Sequence, residues 1–140
     1  MLTQDNKILY IIAGPPGSGK SFFAKHLAEE KQVKFIFEAD MWMVDNEGDY
    51  CFDPSRLYFC HKKCQESSKD VMVLGHSVIV SNTSLTKKEA APYIKLAHQF
   101  GYKVEIHHMD GRFENVHGVP KEKVQQMREK HQRYTIEDFK

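Results

Sequence analysis

The chain has 140 residues, a length for one domain, and the composition of an ordinary globular protein, with 41% hydrophobic and 28% charged residues. A formal net charge of +1 excludes a general attraction to nucleic acid, so a polyanion would have to bind at a local patch. No apolar run approaches the length of a membrane span, and this favours a cytoplasmic protein.

A glycine-rich stretch follows the apolar run 8–13 and precedes a helix-like segment that begins at Phe22. Glycines let the backbone wrap so that successive N–H groups point at anionic oxygens, and the following helix adds its positive N-terminal end. The stretch matches the phosphate-binding pattern G-x-x-x-x-G-K-[ST], in which Lys20 reaches the β- and γ-phosphates and Ser21 binds Mg²⁺. The predicted nucleotide-binding residues are Gly14, Pro15, Pro16, Gly17, Ser18, Gly19, Lys20, Ser21 and Phe22.

Strand-like and helix-like segments alternate along the rest of the chain. The pattern predicts strands over 34–40, 77–81 and 103–109, and helices over 22–31, 54–72, 86–100 and 120–133. The irregular segment 41–53 is open to two interpretations, a substrate-facing loop or a hydrophobic loop at the domain edge. The charged stretch 134–140 is a candidate flexible tail.

The cysteines and histidines have structural interpretations. An odd number of cysteines in a chain of intracellular character favours reduced thiols. Cys60 and Cys64 lie four residues apart on one helix face, where small core residues are favoured over metal ligands. His107 and His108 are adjacent in a strand, so their rings should point to opposite faces of the sheet.

The alternation of strands and helices predicts an α/β fold, a three-layer αβα sandwich with a parallel sheet of four to five strands. Residues 1–140 are expected to form one domain.

Four features together resemble the P-loop kinases of the polynucleotide 5′-hydroxyl kinase type. These are the phosphate-binding loop, Asp40 after the second strand, the polar turn Ser81, Asn82 and Thr83 after the third, and the string 115–120 before the last helix. The resemblance implies the P-loop NTPase fold with strand order 2-3-1-4, ATP with Mg²⁺ as donor, and a hydroxyl acceptor. It also implies that Asp40 is the general base that takes the acceptor proton.

The acceptor side departs from the pattern of that family. Met43 and Glu114 stand where arginines are usual, and the turn Ser81, Asn82 and Thr83 has no aspartate, although its side chains remain candidates for contact with substrate or phosphate. The connection 110–119 corresponds to the lid of that family and is shorter than usual. Arg112 is its arginine, and we expect it to contact the transferred phosphate.

Two functions from different classes follow. The first is an ATP-dependent kinase that acts on the 5′-hydroxyl of a nucleic acid, on a nucleoside or on a small hydroxyl metabolite. The second is a non-catalytic or weakly hydrolytic nucleotide-binding module. An adenine nucleotide is expected in both, because no guanine-reading Asn-Lys-x-Asp string occurs in the chain.

Overall fold

A computed structural model describes residues 7–113 and 118–140 of the chain. Its strands form one parallel sheet of four, in the order β2-β3-β1-β4, as the sequence and its resemblance predicted. The strands are β1 (Ile8–Ala13), β2 (Ile36–Phe37), β3 (Val78–Asn82) and β4 (Lys103–His108). Asn115, Val116 and His117 of the predicted motif, together with Glu114, lie outside the described residues.

Three helices connect successive strands and pack on the sheet, and a fourth follows β4. They are α1 (Lys20–Lys31), α2 (Leu57–Val73), α3 (Lys87–Phe100) and α4 (Lys121–Lys130). The α3 boundaries follow the expected capping chemistry, because the Thr86 side chain accepts a hydrogen bond from the Glu89 N–H and Gly101 takes a left-handed φ of 74°.

The core lies on both faces of β1, which is buried along almost its whole length because strands flank it on either side. On one face, Leu9 and Ile11 pack with α2 and α3 side chains that include Cys64 and Tyr93. On the other face, a smaller cluster joins the sheet to α1; its buried members are Tyr10, Ile12, Ala24, Leu27 and Ile79.

The second strand is shorter than predicted. It spans two residues, and Asp40 lies beyond it in a short 3₁₀ helix, Ala39–Trp42. The following loop is pinned by an isolated bridge between Val44 and Tyr50 and by the Arg56 guanidinium, which donates to the Val44 carbonyl at 2.6 Å. This loop therefore has ordered ends, and its tip is exposed.

The C-terminal segment differs from the flexible tail expected of a charged stretch. The helix α4 ends at Lys130, three residues earlier than predicted, and the chain returns to the core. Tyr134 is buried, and its hydroxyl donates to the Ser84 carbonyl at 2.8 Å. The terminal 3₁₀ helix Ile136–Phe139 then packs two apolar side chains against the core.

The adjacent histidines lie on opposite faces of β4, as predicted. The His107 ring packs on Phe23 of α1, whereas His108 shares a hydrogen bond with His131. Cys60 and Cys64 are buried in the core, and Cys51 is exposed. Within the described residues, no helix has the length and apolar character needed to cross a membrane.

Candidate active site

The glycine-rich loop joins β1 to α1 at the carboxyl edge of the sheet. A Cβ at Gly14 would lie 2.6 Å from both the Met109 carbonyl oxygen and the Ser18 Oγ, so no larger residue fits there. Gly19 precedes α1 with a φ of 95°, a conformation that L-amino acids with side chains rarely adopt. The loop therefore has the tight turn that the sequence pattern predicts.

The segment that follows β4 holds the loop from outside. The N–H of Gly111 donates to the Ser18 carbonyl at 3.1 Å, and the N–H of Phe113 donates to the Gly17 carbonyl at 2.8 Å. A Cβ at Gly111 would meet the Ser18 carbonyl oxygen at 2.8 Å. These contacts satisfy loop carbonyls on one side of the turn.

Lys20, the first residue of α1, folds back over the loop. Its Nζ donates to the Pro15 carbonyl at 3.1 Å. Burial lowers the pKa of Lys20 to about 8, and the nearby carboxylates of Glu38 and Asp40 act in the opposite direction. The predicted phosphate-binding lysine and the predicted base therefore lie at the same mouth of the site.

Glu38 is a residue of this site that the sequence analysis did not identify. The Ser21 Oγ donates a hydrogen bond to Glu38 Oε1 at 2.9 Å, so the predicted magnesium-binding hydroxyl faces a carboxylate. The sequence feature that could have identified Glu38 is its position directly after an apolar strand, two residues before Asp40.

Asn82 has a different position from the one expected of a phosphate contact. Its Oδ1 accepts a hydrogen bond from the Ala39 N–H at 2.7 Å, beside Asp40. Its Nδ2 donates to the Tyr93 hydroxyl at 3.4 Å and to the Cys64 sulfur at 3.6 Å. The side chain thus points into the α2–α3 side of the core and holds the turn that carries Asp40.

The two neighbours of Asn82 also differ from each other. Ser81 is 2% exposed, and its hydroxyl has no hydrogen-bond partner within residues 7–113 and 118–140. The Thr83 carbonyl accepts the Gly14 N–H at 2.9 Å, which ties the end of β3 to the start of the loop. Of the three predicted contacts in this turn, Ser81 is the one with an unused buried polar group.

A cavity of about 340 Å³ opens beside Pro15 on the β4 side of the loop. Three of the four arginines of the chain border it, including Arg112, the predicted phosphate contact. Arg128 donates to the carbonyls of Asp110 and Gly111, which fixes its guanidinium at the wall. The lining residues are Pro15, Asp110, Arg112, Arg128, His131 and Arg133.

His131 at this cavity forms a hydrogen bond between its Nε2 and the Nδ1 of His108, 2.9 Å away. Burial lowers the pKa of His131 to about 4, and nearby positive groups add to this effect. The charged or titratable groups that act on it are Arg133, His108, Asp110 and Lys20, of which only Asp110 raises its pKa.

The position of Met43 explains one departure from the kinase pattern. Met43 is fully buried, and its sulfur accepts a hydrogen bond from the Asp53 N–H at 3.4 Å. It is part of the core and has no access to an acceptor phosphate.

The donor set suits a polyphosphate with a divalent cation. The hydroxyl of Ser18 in the loop is buried without a partner in the part of the chain that the structure describes, as is that of Ser81. Together with the Lys20 ammonium and the Ser21 and Glu38 oxygens, these groups offer donors to phosphate and hard oxygen ligands to Mg²⁺.

Comparison with known proteins agrees with this geometry. A profile of the AAA domain matches residues 9–116, more than half of the chain. The chain belongs to this AAA domain family. NEDD4-binding protein 2 of Homo sapiens is 34% identical to it over 137 residues, which cover 91% of the chain and 8% of that much longer protein.

Solved structures share the fold of this chain at low sequence identity. A chain of the Pnkp1/Rnl/Hen1 RNA repair complex superposes with a TM-score of 0.73 at 19% identity, over 99% of this chain and 48% of that one. The APS kinase CysC of Mycobacterium tuberculosis superposes with a TM-score of 0.58 at 17% identity, over 91% and 98%. The chain therefore has a P-loop kinase-like fold and spans about half of the RNA repair chain.

Proposed function

We propose that this chain binds ATP with Mg²⁺ and transfers the γ-phosphate to a hydroxyl group, and that the acceptor is the 5′-hydroxyl of a nucleic acid. The observation that carries the proposal is the position of Lys20 and Asp40 at one mouth of the loop, close enough for the carboxylate to act on the pKa of the lysine. The fold shared with the APS kinase supports phosphoryl transfer as the reaction class.

Each side chain has a distinct part in this reaction. Lys20 neutralises charge on the β- and γ-phosphates, and Ser21 holds the cation. Asp40 is exposed and accepts the proton of the attacking hydroxyl. Arg112 at the cavity beside Pro15 meets the charge that develops on the transferred group. When bound, Mg²⁺ neutralises the phosphate oxygens and orients them.

An exposed aromatic and basic surface supports a nucleic acid as the acceptor. It begins at Tyr50, whose pKa is raised by burial and by the nearby Asp40 carboxylate, and it continues along the first turns of α2. The guanidinium of Arg56 lies 5.0 Å from the Phe59 ring centre. Aromatic rings with interleaved cations provide stacking for bases and charge for the backbone. The exposed aromatic residues of this surface are Tyr50, Phe52, Tyr58 and Phe59, and the half-buried Arg56 and the exposed Lys63 lie against the Phe59 ring.

The experiment measures phosphate transfer from ATP to a 5′-hydroxyl oligonucleotide, a nucleoside and a sugar. Asp40→Asn should reduce kcat by about 10²–10⁴ with little change in ATP affinity, because general base catalysis contributes on that scale. Asp70→Asn, the same change at an exposed position of α2, is the matched control. Unchanged turnover in Asp40→Asn would remove the assignment of the base.

The acceptor class is tested at Tyr58, which is 76% exposed. Stacking of one base contributes about 1–3 kcal/mol, so Tyr58→Ala should raise the KM for the oligonucleotide about 5- to 150-fold and leave the nucleoside KM unchanged. Leu74→Ala, at an exposed apolar position beyond the other end of α2, is the control. Equal effects of Tyr58→Ala on both acceptors would contradict a nucleic acid substrate.

The buried Met43 favours a second candidate, a nucleotide-binding module without efficient transfer. At this position the resemblance leads one to expect an acceptor-binding arginine, and the fully buried methionine cannot bind a phosphate. A chain that binds ATP, loses binding in Lys20→Ala and transfers phosphate to none of the three acceptors would support this candidate over the kinase.

A further inference from the structure

The strand edge next to Ser21 has an unusual arrangement of acids. In P-loop proteins that bind Mg²⁺ with the loop serine, a second ligand is commonly an acid after a neighbouring strand. Here β3 ends with Ser81 and Asn82 and is followed by Thr83, none of which is charged. The carboxylate that contacts Ser21 is instead Glu38, which accepts a hydrogen bond from the Ser21 hydroxyl.

The strand register, continued by one residue beyond β2, brings Glu38 level with Ser81. β2 pairs with β3 through Ile36 opposite Ile79 and Phe37 opposite Val80, so the next positions are Glu38 and Ser81. Side chains alternate along a strand, and the Ile36 and Ile79 side chains pack on the α1 face of the sheet. Glu38 and Ser81 continue that face, where α1 begins with Lys20 and Ser21.

The hydroxyl of Ser81 is an independent sign that this place takes a ligand. It is buried on the α1 face at the end of β3 and has no hydrogen-bond partner in the part of the chain that the structure describes. Buried polar groups are nearly always satisfied, so an unused hydroxyl beside a carboxylate and a second hydroxyl indicates a polar occupant. Three hard oxygen donors suit Mg²⁺, which binds few protein ligands and completes its shell with phosphate and water.

We infer that Glu38 supplies the carboxylate that holds the divalent cation at this site, in place of an acid after β3. Ser21 and Ser81 complete the set of protein oxygens around it. The inference rests on the proposed function, since it assigns the metal ligand of the same nucleotide site. Asp40, two residues further on and exposed, keeps its proposed role as the base that accepts the proton of the acceptor hydroxyl.

This role has an electrostatic signature that a structural role lacks. Without a cation, the Glu38 carboxylate faces the negative polyphosphate and weakens nucleotide binding by repulsion. With a cation between them, the same carboxylate strengthens binding. Removal of its charge should therefore weaken nucleotide binding only when Mg²⁺ is present.

Calorimetric titration of the full chain with a non-hydrolysable ATP analogue, in EDTA and in MgCl₂, tests the inference. For Glu38→Gln, which retains an acceptor for Ser21, we expect unchanged or tighter binding in EDTA. The gain in affinity on addition of Mg²⁺ should fall at least about tenfold, since even outer-shell partners of a metal contribute 10- to 100-fold. Glu30→Gln, at the exposed end of α1, is the control with the same change in charge.

The outcomes separate this inference from the proposed function. An unchanged Mg²⁺-dependent gain in Glu38→Gln would overturn the role of Glu38 and leave nucleotide binding intact. A similar loss of affinity in EDTA and in MgCl₂ would assign Glu38 a structural role and would also overturn the inference. Absence of binding to the wild-type chain in both conditions would overturn the proposed function together with the inference.

Discussion

Replacement of Asn82 by alanine distinguishes a structural role from the phosphate contact expected of this residue. Asn82 is 8% exposed and accepts the Ala39 N–H at 2.7 Å. The variant leaves that N–H buried and unpaired, which costs about 1–3 kcal/mol. Loss of the weaker contacts to Tyr93 and Cys64 adds to the cost. We therefore expect a lower free energy of unfolding, by about 2–4 kcal/mol.

Urea denaturation followed by circular dichroism measures this loss. With a slope of about 2 kcal/mol per molar urea, the middle of the typical range, the midpoint should fall by about 1–2 M at an unchanged slope. Asn46→Ala, at an exposed position, should change stability by less than about 0.5 kcal/mol. An Asn82→Ala variant as stable as wild type, with ATP affinity reduced, would refute the assignment and restore the phosphate contact.

Three further predictions concern the loop and the cavity beside it. Gly111→Ala should weaken ATP binding in calorimetry, because its Cβ would lie 2.8 Å from the Ser18 carbonyl oxygen of the loop. An unchanged affinity would show that the close packing of the segment after β4 on the loop is not needed for binding. Ser18→Ala should leave thermal stability unchanged or higher, since it removes an unpaired buried hydroxyl, and should reduce ATP affinity about 10- to 150-fold through a lost charge-assisted hydrogen bond; an unchanged affinity would contradict it. The pKa of His131 is lowered to about 4 in the folded chain, so its neutral form stabilises the fold above the unfolded pKa of about 6.5, and this contribution should be lost as pH falls towards 4. In His131→Gln the decline of the melting temperature over that pH range should therefore be shallower than in the wild type. An identical decline in both proteins would refute the assignment.

The layered fold and the phosphate-binding loop were predictable because their signals are local. A continuous apolar run such as 8–13 indicates a central parallel strand, and the glycine spacing indicates a turn that few sequences can make. The structure also confirms the sheet order 2-3-1-4, which the resemblance to the polynucleotide kinase type implied. The caps of α3 at Thr86 and Gly101 were likewise readable from residue types alone.

The parts that could not be predicted depend on contacts between distant segments. Asn82 and Ser81 are adjacent in sequence, and only the register of β3 against β2 decides which one faces α2 and α3 and which one faces α1. Tyr134 lies in a charged stretch, so its burial against β4 has no local signal. The convergence of arginines beside Pro15 requires α4 to end at Lys130 and the chain to turn back.

The phosphate-binding side and the acceptor side of the site are held by different parts of the fold. Substitutions should therefore affect nucleotide binding and phosphate transfer to different extents. The phosphate-binding loop is held by the end of β3 and by the segment after β4 through backbone hydrogen bonds, with glycines where these segments meet. The turn that carries Asp40 follows a strand of two residues and is tied to the core by the side chain of Asn82. Changes near Tyr93 should therefore affect phosphate transfer before they affect nucleotide binding. On the proposed function, nucleotide binding should therefore tolerate changes on the acceptor side, where the buried Met43 stands in place of the arginine that the resemblance leads one to expect.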